Sequence, residues 1–209
     1  MPKQVDPVAR RADVVDALFR VVFREGLQRA SLRAVADEAG LNIGSLRHYF
    51  ANQQELMGFA MRAMLDRVSG RLMRRIDEAG DVGALTLEQR RRLSLDLLAE
   101  LLPLDETRRV EVAVFVDFVT AARTHPAIDA GLAREAAVGA RALVRRILRR
   151  AMDSETLRPD LDLDVETERL SSLIDGLSLN TVLYPDLLSP EACLDVLRDH
   201  LDGLTRQGS

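Results

Sequence analysis

Most of the side chains in this sequence whose type and spacing suit a chemical task lie between Ser31 and Phe50. The stretch predicts two short helices. Ser31 opens the first and Gly40 closes it, and Asn42 opens the second, running through Leu46 to about Tyr49. Ser and Asn oxygens accept from the free amides of a helix start, and Gly tolerates the left-handed stop. Val35, Leu41 and Leu46 are apolar where the pair must pack, and Ala36 and Ala39 are small where helices must approach. The outward face of the second helix keeps Asn42, Gly44, Ser45, Arg47 and His48. Short donors, a guanidinium and an imidazole are suited to hydrogen-bond phosphate oxygens and base edges in a groove. Read singly, Arg47 and His48 are surface residues and Tyr49 and Phe50 core aromatics; their joint placement after Gly40 fits a DNA groove, and spacing alone does not decide between the two readings.

Catalytic patterns are missing. The sequence has no glycine-rich phosphate loop, no paired-Cys or His-x-x-x-His metal spacing and no nucleophile elbow. Its histidines, His48, His125 and His200, are far apart. No catalytic residue, metal or cofactor is expected, and the protein is not expected to be an enzyme.

The elements around the pair are helical throughout, because apolar spacings of three and four dominate. Asp6-Pro7 starts a first helix with Ala12, Val15, Leu18, Phe19, Val22 and Phe23 on one face, stopped by Gly26. Asn52 caps a long fourth helix whose face carries Leu56, Phe59, Ala60, Ala63, Met64, Val68, Leu72 and Ile76. A connection at 80–87 leads to a helix over 88–102, which Pro103 stops. Residues 110–119 alternate like a strand, yet no partner strand exists in the chain, so a buried helix to about Arg123 is predicted, with Pro126 beyond it. Further helices are expected over 131–153, from a cap at Asp164 to before Pro185, and from Ser189-Pro190 to near the end.

Composition sets the limits. The 209 residues are 47% hydrophobic and 30% charged, long enough for one large domain or two small ones. No apolar run reaches the roughly 18 residues of a membrane span. Charges at Asp6, Arg10, Arg11 and Asp13 occupy the place of an export signal, and the single Cys193 excludes an internal disulfide. A cytoplasmic setting is expected. The net charge is −4, but residues 1–50 carry +2, leaving −6 on the remainder, a slightly basic head on an acidic body. All basic residues except Lys3 are arginine, so arginine content alone is not read as phosphate recognition. The series Arg141, Arg145, Arg146, Arg149 and Arg150 reads as a solvated face rather than a second nucleic-acid surface.

The run Ser31–Ala36, Ala39-Gly40-Leu41 and Gly44–Phe50, after a first helix and before a capped long one, resembles the TetR family of bacterial repressors over about residues 8–60. The resemblance implies an all-α fold: an N-terminal three-helix helix-turn-helix domain over 1–53, and a larger effector-binding and dimerisation domain over 54–209. It implies that Ser31 and Asn42 bond phosphates, that Ile43, Gly44 and Arg47 lie nearest base edges, and that His48 and Tyr49 rest on the backbone, with Ser45 among the DNA-binding residues. Two positions depart from the family pattern. Arg47 stands where Tyr is common, and Gln53 stands where a Lys would reach a phosphate, which lowers the salt dependence by about one counterion.

Pro159–Asp164 and Leu173-Ile174-Asp175-Gly176-Leu177 resemble the C-terminal domain of the BetI-like branch, which implies a small-molecule effector of unknown identity. Polar groups within apolar runs, Asp117, Arg123 and Asn180, are pocket candidates, as are Met57, Met61, Met64, Phe115 and Phe118. Internal pairing and ordinary core packing are the alternatives. A single helix-turn-helix contacts few base pairs, so a homodimer on double-stranded operator DNA is expected. Its interface is predicted at Leu132, Ala136, Leu143 and Ile147 with Leu170, Leu173, Ile174, Leu177 and Thr181. The reading that results is a ligand-responsive repressor. The alternatives are a helical adaptor using the head to hold protein, and an activator of the same fold.

Overall fold

The computed structural model describes residues 7–124, 128 and 130–205. Among them are nine α-helices: α1 (Pro7–Glu25), α2 (Leu32–Glu38), α3 (Ile43–Tyr49), α4 (Gln53–Ala79), α5 (Leu87–Ala99), α6 (Glu106–Ala122), α7 (Ala130–Asp153), α8 (Leu163–Leu183) and α9 (Pro190–Leu204). The described residues form no strand, only an isolated antiparallel bridge between Leu157 and Thr205. None of their helices is long and apolar enough to cross a membrane. The Asp6 cap and the positions of His125 and Pro126 lie outside the described residues.

Helix starts follow side-chain chemistry. Ser31 Oγ accepts from the Ala34 amide, Asn42 Oδ1 from Ser45, Asn52 Oδ1 from Glu55, Asp105 Oδ1 from Arg108 and Ser189 Oγ from Ala192. Thr86 and Gln89 cap α5 reciprocally. One start differs from expectation. Asp162, not Asp164, caps α8, accepting from the amides of Asp164 and Val165 at 2.9 and 3.1 Å. The alternating stretch 110–119 is helical, with Glu111, Val114 and Phe118 buried at helical spacing.

The chain divides into two compact units, Met1–Asp66 with Ala113–Arg134, and Arg67–Val112 with Glu135–Ser209. These are drawn differently from domains over 1–53 and 54–209, because α4, α6 and α7 each contribute to both. The first unit buries Val14, Val15, Leu18, Val21 and Val22 of α1 with Leu46, Phe50, Leu56, Met61 and Met64. Ala12 and Phe23, expected on the inner face of α1, are exposed.

The second unit centres on Leu98, Leu102, Val144, Leu148, Leu170, Leu197 and the buried Cys193. It also buries two carboxylates, Glu100 and Glu111. Arg71 of α4 donates to both, at 3.0 Å to Glu100 and 2.7 Å to Glu111, and Arg75 Nε adds a bond to Glu100 at 3.1 Å. Desolvation alone would make these carboxylates costly, so the guanidinium is required by the burial. At the end of α7, Glu155 takes a left-handed φ of 56° and the Thr156 amide reaches back to the Ala151 carbonyl at 2.9 Å.

Candidate nucleic-acid interface and a second cavity

The geometry of α2 and α3 follows from three local devices. Gly40 adopts φ +66°, and the Leu41 amide returns to the Ala36 carbonyl at 2.9 Å, which turns the chain sharply between the helices. Leu46 and Phe50 are buried and Tyr49 half-buried, which fixes the rotation of α3. Gly44, Arg47 and His48 are left exposed, with Ile43 and Ser45 half-exposed beside them. A Cβ on Gly44 would meet Asn42 Oδ1 at 3.2 Å, tight against the oxygen that caps the helix.

The caps leave the right groups unused. Ser31 and Asn42 are exposed and spend their acceptor oxygens on the Ala34 and Ser45 amides at 3.2 and 2.7 Å. The Ser hydroxyl proton and the Asn amide protons are thereby left to donate. Gln53 serves α4 differently from a lysine: its Nε2 donates to the Ala30 carbonyl at 3.0 Å, tying the start of α4 to the residue before the α2 cap. The His48 and Tyr49 rings meet edge-on with centroids 5.7 Å apart.

Electrostatics sorts the arginines of this unit. Arg20 and Arg24 of α1 both donate to Glu38 at the end of α2, at 2.6 and 3.0 Å, and hold its carboxyl below the usual carboxylate value. Their charge is answered within the unit. Arg29, Arg33 and Arg47 are exposed, and no ion pair holds them among the described residues. In the sequence nothing sets Arg29 and Arg33 apart from Arg20 and Arg24. The core behind α4 is aromatic: Phe50 and Phe59 pack at 5.4 Å and the Arg11 guanidinium lies over Phe59 at 5.7 Å.

The expected pocket residues differ in exposure, and all but Asn180 belong to the first unit. Met57, Met61, Met64 and Phe118 are buried core. Asp117 accepts from the Leu27 backbone N–H, and its burial pushes its carboxyl above the usual value. Phe115 is half-buried and Arg123 exposed. Asn180 is exposed and donates to the Gly176 carbonyl at 2.8 Å.

A cavity of about 520 Å³ opens elsewhere, within the second unit, walled by α4, α5 and α7, the 82–83 turn and the turn after α7. Arg90, Arg146 and Arg150 line it, beside Ser94, Asp153, Ser154 and Thr156. The arginine series of α7 therefore splits. Arg141 pairs with Glu168 at 3.3 Å and Arg145 with Asp164, while Arg146 and Arg150 face the cavity. Spacing hinted at this, since 146 and 150 share a helix face, but nothing in the sequence showed that a hollow lay beside it.

The dimer residues expected from the apolar stripe are mostly inside the chain itself. Leu132, Ile147, Leu170, Ile174, Leu177 and Thr181 are buried in the single chain, and Ala136, Leu143 and Leu173 are half-buried. The periodicity marked the faces of α7 and α8 that serve the chain's own core. The exposed apolar side chains of these helices are instead Val138 of α7 and Val165, Leu179 and Leu183 of α8, with Tyr184 and Leu187 just beyond.

Two short capped helices around a left-handed glycine, with a buried inner row and a polar outer row, define a helix-turn-helix DNA-binding protein. Residues 14–58 match the model of the bacterial regulatory proteins, tetR family, and residues 89–206 match that of the BetI-type transcriptional repressor, C-terminal. The chain is 31% identical over 212 residues to the HTH-type transcriptional regulator PksA of Bacillus subtilis (strain 168), covering 98% of this chain and 94% of that one. A transcriptional regulator from Rhodococcus sp. Rha1 superposes with a TM-score of 0.74 at 27% identity, over 93% of this chain and 95% of its own. A protein from Saccharomonospora viridis solved in complex with choline gives 0.73 at 21% identity, over 94% and 95%, a likeness of fold. The chain belongs to the TetR family of transcriptional regulators, with a C-terminal domain of BetI type. Proteins of this family are regulators and not enzymes.

Proposed function

We propose that this protein is a ligand-responsive repressor that binds operator DNA as a homodimer through α3 and releases it when a small molecule binds. The observation that carries the reading is the exposed row Gly44, Arg47 and His48 on a helix held in place by buried Leu46 and Phe50. In this reading Arg47 contacts a base edge, with Ile43, Gly44 and Ser45 close to it, and Ser31, Asn42, His48 and Tyr49 contact phosphates. Gln53 braces the α4 start and adds no charge. Arg33 joins the phosphate contacts.

The second copy docks on the exposed side of α7 and α8. Val165, Leu179, Leu183 and Tyr184 support this, being large, apolar and 41–51% exposed on one chain. Two heads then address half-sites about 34 Å apart. The choline-bound neighbour supports a small-molecule seat in this fold. Ligand binding favours a different head separation, and α4, which is continuous from the head into the second unit, carries the change.

The test is fluorescence anisotropy on the DNA flanking the gene, at several salt concentrations, with a scrambled duplex and Arg47→Ala beside it. Tight, selective binding that the variant loses is expected. Equal, weak binding to every duplex rejects the operator reading at that locus, and a genome-wide selection then separates a distant operator from an adaptor role.

A further inference from the structure

The cavity of the second unit is unusual for its unanswered charge. Arg90 spends one donor on the Gly83 carbonyl at 3.0 Å, while its Nε is buried with no hydrogen-bond partner. No ion pair holds Arg90, Arg146 or Arg150 among the described residues. Three guanidinium groups thus face one carboxylate, Asp153, across a hollow in a chain whose net charge is −4. The remaining wall is apolar, with Ile76, Leu93, Leu97, Leu143 and Ile147.

A neighbouring hollow serves as an internal control. It also collects arginines, but Arg75 is paired with Glu100, Arg92 with Asp96, Arg108 with Asp105 and Arg198 with Asp195, leaving only Arg91 of its arginines unpaired. Four of the five arginines of that hollow thus have a carboxylate partner, and Arg91, whose Nε is also buried without a hydrogen-bond partner, is the exception. At the Arg90 cavity none of the three arginines is paired.

A buried guanidinium N–H without an acceptor carries a desolvation cost that a ligand oxygen would remove. Pockets of this size hold small organic molecules, with a few polar groups fixing orientation in an apolar wall. We infer that the effector is an amphipathic organic anion, its carboxylate or phosphate held by Arg90, Arg146 and Arg150 and its hydrocarbon body lying on Ile76, Leu93, Leu97, Leu143 and Ile147. Ser94, Ser154 and Thr156 supply hydroxyl donors beside the head group. The wall holds no aromatic ring, and its cationic balance opposes a quaternary ammonium. The assignment rests on the ligand-responsive reading for its regulatory consequence and on the cavity alone for its chemistry.

Calorimetric titration of the full chain with decanoate, decyl phosphate, decanol and decyltrimethylammonium, each below its micelle concentration, tests the chemistry. The two anions are expected to bind at least roughly tenfold tighter than decanol, and the ammonium compound more weakly still. The paired variant Arg146→Gln/Arg150→Gln changes two exposed side chains, so the fold should persist, as circular dichroism would verify. It is expected to erase most of the anion preference and leave decanol binding unchanged. Binding without regard to head group, preference for the cation, no binding of any probe, or a preference that survives in the variant each overturns the assignment. Operator release, followed separately by anisotropy, distinguishes the two readings. Anions that bind without loosening DNA defeat the ligand-responsive reading and leave the anion site standing. Release by the ammonium compound with the anions inert does the reverse.

Discussion

The helix-turn-helix and the body of this regulator treat their charges in opposite ways. In the first unit, Arg20 and Arg24 bridge α1 to α2 through Glu38, while Arg29, Arg33 and Arg47 are exposed and held by no ion pair among the described residues. In the second, Arg141 and Arg145 are paired, while Arg90, Arg146 and Arg150, held by no ion pair among the described residues, line a hollow. A polymer phosphate outside the protein suits the first arrangement, because it arrives with many charges and displaces counterions. A single small anion suits the second, because several donors converging beside an apolar wall can hold one charge together with a hydrocarbon body. Placement relative to the core, more than arginine number, separates the two roles.

The largest effect that would sharpen this contrast is in the buried network. Arg71→Met leaves Glu111 without its guanidinium and should cost about 3–5 kcal/mol of stability in urea denaturation. A loss below about 1 kcal/mol would instead place the network among ordinary surface pairs. Next comes Arg47→Ala, expected to weaken operator binding by about 1–3 kcal/mol with the urea midpoint unchanged, since the side chain is exposed. A fall in stability of similar size would mean that Arg47 braces the head rather than reads DNA. Asn42→Ala should cost about 1 kcal/mol of stability through the lost cap, and on the proposed phosphate contact it should cost operator affinity as well.

The smallest effect is a sign rather than a size. Burial raises the Asp117 carboxyl above its ordinary value, so the folded state holds its proton more tightly than the unfolded one. Its contribution is therefore full below the ordinary carboxylate range and is lost as pH rises through the raised value. Asp117→Asn keeps an acceptor for the Leu27 N–H and should flatten that slope in melting temperatures measured across mildly acidic pH. A variant that melts with the same pH slope as the wild type would remove Asp117 from the account.

What the sequence made legible was local. Ser31, Gly40, Asn42 and the apolar positions between them lie within a few residues of their partners, so spacing alone specifies the turn, and the family pattern then specifies its use. The α8 cap was placed two residues late because Asp162 and Asp164 are equivalent to composition, and only backbone geometry separates them. Long-range facts were hidden for a plainer reason. Arg71 and Glu111 are 40 positions apart, and no periodicity joins them. The apolar stripes of α7 and α8 are plain in the sequence, but a stripe does not say whether its neighbour belongs to the same chain. The cavity was invisible because its walls come from four separate stretches, none of them distinctive alone.

Cys193 is the chain's single thiol and is fully buried, with its ionisation pushed up by that burial. Thiolate is the reactive form, so folded protein should be nearly inert to thiol reagents. A cysteine introduced at an exposed site of the first unit, such as Ala12, would then take a spectroscopic label against almost no background. The slow residual reaction at Cys193 itself would report how often the packing of α8 and α9 opens, so one molecule could yield both the distance between its two heads and the lifetime of its core.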